Sequence, residues 1–265
     1  HRAMCFAGKT VITALPGKPM EHKARSFHLI DCEPSVKYCR HSVQSCGGEM
    51  SGGDVLLKII NLEHRYDRKA ECLAELSLSG ITADDDSFFK AYYKPEFGEL
   101  GASLSHANLI ARYLSESVCP YLLVFEDDFE IINKDDFLPD LNKALCIADR
   151  WDVFLLSHNQ AIPVSIIDKK AGFYRVINSQ TASGYIVKRE FASRLMAVFF
   201  DSVTGLQNTR VIGDEVGDIV KTFYCLDMLW KKLQTGFNFV ARFPPYVKQR
   251  PSYSDIENKH VDYGV

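Results

Sequence analysis

The sequence predicts an α/β fold in which a mixed sheet is flanked by helices, and three observations support this prediction. Short apolar runs alternate with segments of helical periodicity from Val55 onward. Two of the runs, Val55–Asn61 and Tyr121–Glu126, are almost wholly apolar, which is typical of strands buried on both faces. Polar residues follow both runs directly, at the strand ends where ligands bind in open α/β sheets.

The remaining elements follow from periodicity and from turn residues. Ala107, Ile110, Ala111 and Leu114 have the i, i+3, i+4, i+7 spacing of an amphipathic helix. The stretch 204–222 lacks such periodicity and predicts a loop. The other predicted elements are helices over 67–79, 103–117, 136–148 and 189–199 and near 227–233, and strands over 152–156, 173–177, 184–187 and 238–242.

Residues 1–53 differ in amino-acid composition from the rest of the chain. They mix Gly, Pro, Ser, Cys and charged residues, so we interpret them as a cysteine-containing appendage to a domain over residues 54–265. No C-x-x-C pair occurs, which leaves disulfides, thiols and a weakly supported zinc site open for the early cysteines. The later cysteines lie in apolar surroundings and are interpreted mostly as buried thiols: Cys72, Cys119, Cys146 and Cys225.

Composition excludes some classes of partner. The 265 residues carry a formal net charge of −3, so the chain lacks the net positive charge that would attract nucleic acid. No apolar run approaches the roughly 20 residues of a membrane-spanning helix. These values are typical of a soluble protein and leave the compartment open between cytoplasm and secretory lumen.

The most informative stretch is the acidic run Glu126-Asp127-Asp128 at the end of an apolar strand. Adjacent carboxylates repel one another, and a divalent cation would offset that repulsion because hard ions prefer carboxylate oxygens. The alternative is an acidic turn that leads into the next helix.

The loop after the first strand is the second candidate. Arg65 and Arg68 lie where a strand opens into a helix, and their forked donors suit a phosphate or a nucleobase edge. Alternatively, Asp67 caps the helix and both arginines face water.

A third segment begins at Gly98 and ends at His106. Its two glycines, Gly98 and Gly101, permit close backbone approach, and Ser105 with His106 opens the following helix. A single histidine at such a position is also typical of a hydrogen-bonded structural residue.

Other acids divide into exposed and buried candidates. Asp84-Asp85-Asp86 is interpreted as a solvated loop and Asp135-Asp136 as a helix cap. Asp227 lies inside an apolar stretch, where a carboxylate is costly unless it is paired or used. Asp214 and Glu215 lie in a polar loop and are weaker candidates.

Three motifs in order, IINLEHRYDR, GELGASLSH and LVFEDD, resemble the family 25 glycosyltransferases, which include lipopolysaccharide sugar transferases and collagen hydroxylysine galactosyltransferases. The resemblance runs from Val55 to about Glu257 and is weakest over residues 157–172. It implies a GT-A fold with a Rossmann-type mixed sheet, a nucleotide-sugar donor and Mn²⁺ or Mg²⁺ as cofactor.

The resemblance also implies roles for single residues. Asp128, with Asp127, would hold the metal. Asp227 would be the general base or a sugar-binding carboxylate, and a purely structural role is the remaining alternative. The donor-binding residues would be Asn61, Arg65, Arg68, Ser105, His106, Glu126 and Asp127.

The function that follows is metal-assisted transfer of a hexose, with a UDP-sugar as the expected donor and a hydroxyl of a glycan or protein as acceptor. The expected outcome is inversion. Two alternatives remain: a catalytically silent protein of this fold with an adhesion or assembly role, and a different metal enzyme such as a phosphohydrolase. The sequence names neither the sugar nor the acceptor nor the oligomeric state.

Overall fold

The computed structural model describes residues 54–209, 222–254 and 259–261, the last three and 252–254 by backbone only. The predicted appendage, residues 1–53, lies outside the described residues, as do Asp214 and Glu215. No helix in the described ranges is long and apolar enough to cross a bilayer.

The strands of the described residues are, in chain order, β1 (Val55–Asn61), β2 (Phe88–Lys90), β3 (Tyr121–Glu126), β4 (Phe129–Ile131), β5 (Val153–Leu155), β6 (Ile162–Asp168), β7 (Phe173–Ile177), β8 (Gly184–Lys188), β9 (Phe239–Arg242), β10 (Val247–Gln249), β11 (Ser252–Ser254) and β12 (Lys259–Val261). The helices are α1 (Tyr66–Leu78), α2 (Gly98–Glu116), α3 (Lys134–Cys146), α4 (Arg189–Thr209), α5 (Leu226–Leu229) and α6 (Lys231–Gln234).

The central sheet has eight strands in the order β2-β1-β3-β8-β5-β9-β7-β6. β1 is parallel to both β2 and β3, whereas β8 is antiparallel to β3 and β5. The mixed sheet flanked by helices confirms the predicted fold class and is compatible with GT-A architecture. Because β1, β2 and β3 run in one direction, their carboxyl ends lie at the same edge.

Alternate residues of the central strands bury their side chains on opposite faces of the sheet. Leu122 and Val124 of β3 join a core cluster with residues of α2 and α4, while Leu123 and Phe125 join a second cluster with residues of α1 and α3. This two-sided burial explains why the strand is apolar throughout. It also explains why the first polar side chains come only at its end.

Several predicted bounds agree with the structure to the residue, namely those of β1, β3 and β7. The three-residue strands β2, β4 and β10 were not predicted, because so short a segment shows no periodicity. β6 was also missed, because most of this edge strand is exposed.

Two helices are longer than predicted. α2 begins at Gly98 rather than at residue 103, because tertiary packing overrides the low helix propensity of its two glycines. α4 continues to Thr209, so the loop prediction is wrong for residues 204–209; Gly205 and Leu206 are buried there. The helix predicted near 227–233 is divided into α5 and α6.

Helix capping also differs from the prediction. The N-cap of α3 is Asn133, whose side chain accepts a hydrogen bond from the Asp136 amide at 3.4 Å, so capping by Asp135-Asp136 is wrong. The acids Asp84-Asp85-Asp86 are exposed, as predicted, and Asp84 caps a short 3₁₀ turn.

The described cysteines follow the thiol prediction with one exception. Cys72 and Cys119 are buried thiols and Cys225 is a partly buried one. Cys146 is exposed and disulfide-bonded, so the prediction of a buried thiol is wrong at that position.

The close approach predicted for the glycine segment occurs at Gly101. A Cβ at this position would lie 2.6 Å from the carbonyl oxygen of Tyr92, in the loop after β2. The glycine therefore lets α2 pack directly against that loop.

Gly101→Ala should destabilise the protein by about 1–3 kcal/mol, because the added methyl group meets backbone rather than a movable side chain. Gly236→Ala is the matched control, since a Cβ there has nothing within 4 Å. Urea unfolding of both variants measures the difference. Equal stability of the two variants would contradict this packing.

Candidate functional site

The carboxyl ends of β1, β2 and β3 form one wall of an open cleft. Asn61 is the last residue of β1 and Glu126 the last of β3, and Ile60 pairs with Glu126 in the parallel register. The turn Asp127-Asp128 follows at once. Residues from all three predicted motifs line the cleft: Ile60, Leu62, Arg68, Gly98, Gly101, Ala102, Ser105, His106, Glu126, Asp127 and Asp128. Ala91, Tyr92, Tyr93, Lys94 and Gln249 complete the lining.

Asp127 is held by two partners from the first loop and helix. Arg68 Nη1 lies 2.5 Å from Oδ1, and Asn61 Nδ2 donates to Oδ2 at 2.8 Å. Both side chains of the ion pair are about one-tenth exposed. Burial opposes the charge on Arg68, but the carboxylates of Asp127 and Asp128 hold its pKa above the ordinary value. The pair therefore fixes the acidic turn to α1.

Asp128 has a different environment. Its Oδ1 is buried and has no hydrogen-bond partner among the residues that the structure describes, and Arg68 Nη1 lies 3.8 Å from Oδ2. Burial and the charges of Glu126 and Asp127 raise the pKa of Asp128 to about 7. This side chain lines the cleft, and its buried, unpartnered oxygen is a group that a bound ion or water would satisfy.

Glu126 ends a chain of buried hydrogen bonds. His106 is fully buried, with Nε2 3.1 Å from Glu126 Oε1 and Nδ1 3.0 Å from the Tyr185 hydroxyl. Burial and the nearby charge of Glu126 raise the pKa of Tyr185 well above its usual value, so its O–H keeps its proton. We assign that O–H as donor to Nδ1, which leaves Nε2–H to donate to Glu126.

His106 lies in the middle of α2 and not at its start, since the helix begins at Gly98. The His106 ring contacts the Glu126 carboxylate at the cleft wall and orients it. These contacts favour the alternative of a hydrogen-bonded structural histidine. Tyr185 was not singled out from the sequence, because a tyrosine within an apolar strand is usually core.

Two predicted donor-binding residues, Arg65 and Ser105, bond to other groups of the protein. Arg65 pairs with Asp67 at 2.9 Å, and the hydrogen bond from Arg65 lowers the pKa of Asp67 to about 2. Ser105 Oγ accepts from the Tyr92 amide at 2.8 Å and donates to the Gly101 carbonyl at 2.7 Å. Ser105 therefore lines the cleft while its hydroxyl holds the loop after β2 against α2. Asp67 does not cap α1, so that alternative is wrong.

The acidic turn is also held from the far end of the chain. The Arg250 amide donates to the Asp128 carbonyl at 2.6 Å, and its guanidinium donates to the Phe129 carbonyl at 3.1 Å and pairs with Glu71. Sequence reasoning missed Arg250 because it ended the sheet at residue 242. The signal available was the polar run Lys248-Gln249-Arg250 directly after the apolar pair Tyr246-Val247.

Asp227 lies at the same edge of the sheet as the acidic turn. Its Oδ2 accepts from the Thr181 amide at 3.2 Å. Burial raises the pKa of Asp227, and the charge of Glu126 raises it further. The structure thus brings the carboxylate that the sequence singled out into the electrostatic field of the acidic motif.

Thr181 was not identified from the sequence. It has a φ of +63°, in the left-handed region that a β-branched residue rarely adopts. Such a conformation costs about 1–3 kcal/mol and persists only where surrounding contacts impose it. Besides the hydrogen bond from its backbone amide to Asp227, Thr181 places its hydroxyl 3.3 Å from Ser183 Oγ and 3.4 Å from Gln249 Oε1.

The donor set fits a hard divalent cation shared with a ligand. Among the described residues, no group of three His, Cys, Asp or Glu side chains surrounds a metal-sized position. Mg²⁺, however, is usually held by one or two carboxylates together with substrate phosphates and water. Asp128 offers one unpartnered oxygen of this type, whereas both oxygens of Asp127 accept from protein donors. The metal role of Asp127 stays a prediction.

Comparisons with known proteins add little to this geometry. No family model matches the chain, and no curated protein matches it. Among solved structures, the chain is similar to mannose-1-phosphate geranyltransferase from Thermus thermophilus, with 10% sequence identity and a TM-score of 0.38. The similarity covers 71% of this chain and 73% of that one. A similarity of this extent carries no functional argument.

Asp128→Asn should stabilise the protein more at pH 8 than at pH 5 when EDTA is present. The pKa of Asp128 is about 7 in the folded chain against an ordinary value of 3.8, so the folded state holds this proton more tightly. The raised pKa of Asp128 therefore adds to the free energy of unfolding below pH 3.8, and this addition is lost as pH rises through 7. The expected difference between the two pH values is on the order of 1–3 kcal/mol.

Urea unfolding at both pH values measures this effect. Asp85→Asn is the matched control, because Asp85 is 90% exposed. A gain of equal size at pH 5 and pH 8 would contradict the raised pKa.

Proposed function

We propose that the protein is a glycosyltransferase that moves a hexose from a nucleotide-sugar donor to a hydroxyl of a glycan or protein acceptor. The observation that carries the proposal is the convergence of all three motifs on one cleft. Asn61, Arg68, His106 and the acidic turn come from three separate segments, and each reaches the carboxyl edge of β1–β3. That edge is where open α/β sheets bind nucleotides.

On the donor side, Asp128 would hold Mn²⁺ or Mg²⁺ through its unpartnered oxygen. When bound, the ion supplies charge stabilisation for a diphosphate leaving group. Arg68 adds a fixed positive charge at the same wall of the cleft. Because Asp127 and Asn61 hold this region in place, little reorganisation is needed as negative charge develops on the leaving group.

On the acceptor side, Asp227 is the candidate general base. A single displacement requires a group that takes the proton of the acceptor hydroxyl as the new glycosidic bond forms and the bond to the diphosphate breaks. The raised pKa of Asp227, caused by burial and by Glu126, makes its carboxylate a stronger proton acceptor than an exposed one. Binding of sugar hydroxyls is the other role open to it.

A catalytically silent protein of the same fold is the second candidate. The observation that favours it is that Glu126 and Asp127 already hold protein partners, His106 for the former and Arg68 with Asn61 for the latter. The acidic turn can therefore be stable without an ion. Cation-dependent binding of a nucleotide separates the two candidates.

Mn²⁺ together with UDP should raise the melting temperature of the wild-type protein more than either does alone, because a ligand that binds only the folded state stabilises it by mass action. Asp128→Ala should lose this cooperative shift. Asp85→Asn, an exposed acid on the surface, should keep it. Differential scanning fluorimetry with a panel of nucleoside diphosphates and nucleotide sugars makes the measurement and identifies the preferred base.

The absence of a shift with every nucleotide and nucleotide sugar in the wild-type protein would overturn the transferase proposal in favour of the silent one. A full shift in Asp128→Ala would overturn only the assignment of the metal ligand.

Asp227→Asn should bind the donor normally and lose on the order of 100-fold or more in turnover, because the amide keeps the size of the side chain but cannot accept a proton. Initial rates of transfer and donor titration calorimetry measure the two quantities separately. Asp201→Asn is the matched control, since Asp201 is an exposed partner of Lys232. Loss of donor affinity in step with turnover would instead indicate a sugar-binding carboxylate.

A further inference from the structure

The two acids of the proposed mechanism, Asp128 and Asp227, lie on different elements, and among the described residues no direct contact joins their carboxylates. Asp128 belongs to the turn between β3 and β4, whereas Asp227 belongs to the short helix α5. Both carboxylates are in low-dielectric surroundings, and like charges so placed repel. Polar groups that lie between the two carboxylates and donate hydrogen bonds to them would offset this repulsion and fix the distance between them.

Gln249 provides the first of these groups. It is the last residue of β10, and β10 pairs with β4, so its position follows directly from the strand that continues the acidic turn. Its side chain lines the cleft together with Asp128, because Gln249 pairs with Phe129, the residue that follows Asp128. An ionised carboxylate only accepts, so in the bridge the amide nitrogen of Gln249 faces the ionised Asp128 and its Oε1 faces away.

Thr181 provides the second group. Its hydroxyl lies 3.4 Å from Gln249 Oε1 and 3.3 Å from Ser183 Oγ, and in the bridge it donates its one proton to Gln249. Its backbone amide donates to Asp227 Oδ2 at 3.2 Å. The positive φ of Thr181 turns this amide toward Asp227, so the unusual backbone conformation serves the contact.

We propose that Gln249 and Thr181 form a hydrogen-bonded bridge, Asp128–Gln249–Thr181–Asp227, that fixes the donor-side acid relative to the acceptor-side acid. Both are positioning residues: they act through the two carboxylates. The functional part of the inference rests on the proposed function, since it takes Asp128 as the metal ligand and Asp227 as the base. The physical part rests on the contacts of Thr181 with Gln249 and Asp227 and on the position of Gln249 beside Asp128.

The bridge has a specific kinetic consequence. An error in the spacing of the two acids misaligns acceptor and donor without removing any group that binds the donor. Loss of the Thr181 arm should therefore lower kcat and leave the KM for donor nearly unchanged. A merely structural role would lower stability and would not separate the two kinetic constants.

The first experiment measures the bridge without using activity. Amide hydrogen exchange at Thr181 is compared in wild-type protein, Gln249→Met and the matched control Gln207→Met, whose site is exposed on α4. In the bridge, loss of the Gln249 amide releases the Thr181 hydroxyl and loosens its backbone. Exchange at Thr181 should rise about 10-fold in Gln249→Met and stay at the wild-type rate in Gln207→Met.

The second experiment measures transfer. Thr181→Val, which keeps the β-branched shape but lacks the hydroxyl, should lose on the order of 10- to 100-fold in kcat with donor KM changed less than about 2-fold. Thr181→Ser restores the hydroxyl and should recover most of the rate. The double variant Gln249→Met/Thr181→Val should be no slower than the slower single variant, because both break one chain. Thr204→Val, at an exposed threonine, is the control.

The outcomes separate the two proposals. Unchanged exchange at Thr181 in folded Gln249→Met overturns the bridge whether or not the protein transfers sugar. Additive losses in the double variant, or a Thr181→Ser variant as slow as Thr181→Val, also overturn it. A wild-type protein without transfer activity overturns the proposed function and the kinetic part, while a raised exchange rate in Gln249→Met still supports the physical bridge.

Discussion

The buried ion pair between Arg68 and Asp127 is the interaction on which the rest of the site depends. Three consecutive acids at the end of a buried strand cannot share a turn without charge compensation, and Arg68 reaches the middle one at 2.5 Å. The arginine comes from the first turns of α1, so the pair ties that helix to the end of β3. A buried pair of this kind contributes little net stability, but loss of either partner leaves an uncompensated charge that costs about 3–5 kcal/mol.

This constraint gives the three acids different environments. Glu126 receives a hydrogen bond from the fully buried His106, Asp127 is saturated by Arg68 and Asn61, and Asp128 keeps one oxygen unpartnered among the described residues. The difference follows from the end of the strand, where successive side chains diverge as the chain turns into β4. One motif therefore supplies an oriented carboxylate, a structural anchor and a carboxylate with an unpartnered oxygen.

The cleft also depends on the C-terminal part of the described chain. The Arg250 amide holds the backbone of the acidic turn, and Gln249, which pairs with Phe129 next to that turn, contacts Thr181. These residues reach the turn because β10 pairs with β4, outside the main sheet. The small second sheet thus acts as a support for the functional edge of the large one.

The sequence by itself determined the fold class, the strands β1 and β3, and the residues that gather at their ends, because a strand buried on both faces leaves a continuous apolar run that stops where polar side chains begin. It also singled out Asp227, because a carboxylate in an apolar stretch is costly without a use. Only the tertiary structure decided which donors each carboxylate receives. Arg65 turns to Asp67, Ser105 to the backbone of Tyr92, and Arg68 to Asp127.

The bridge through Gln249 and Thr181 was likewise invisible in the sequence. Its members come from short or irregular segments whose positions are set by long-range strand pairing and by a left-handed backbone conformation, and neither leaves a periodic signal in the order of residues. Local periodicity reports which side of an element is buried. The partner that a polar side chain meets depends on how separate elements pack, and that information exists only in three dimensions.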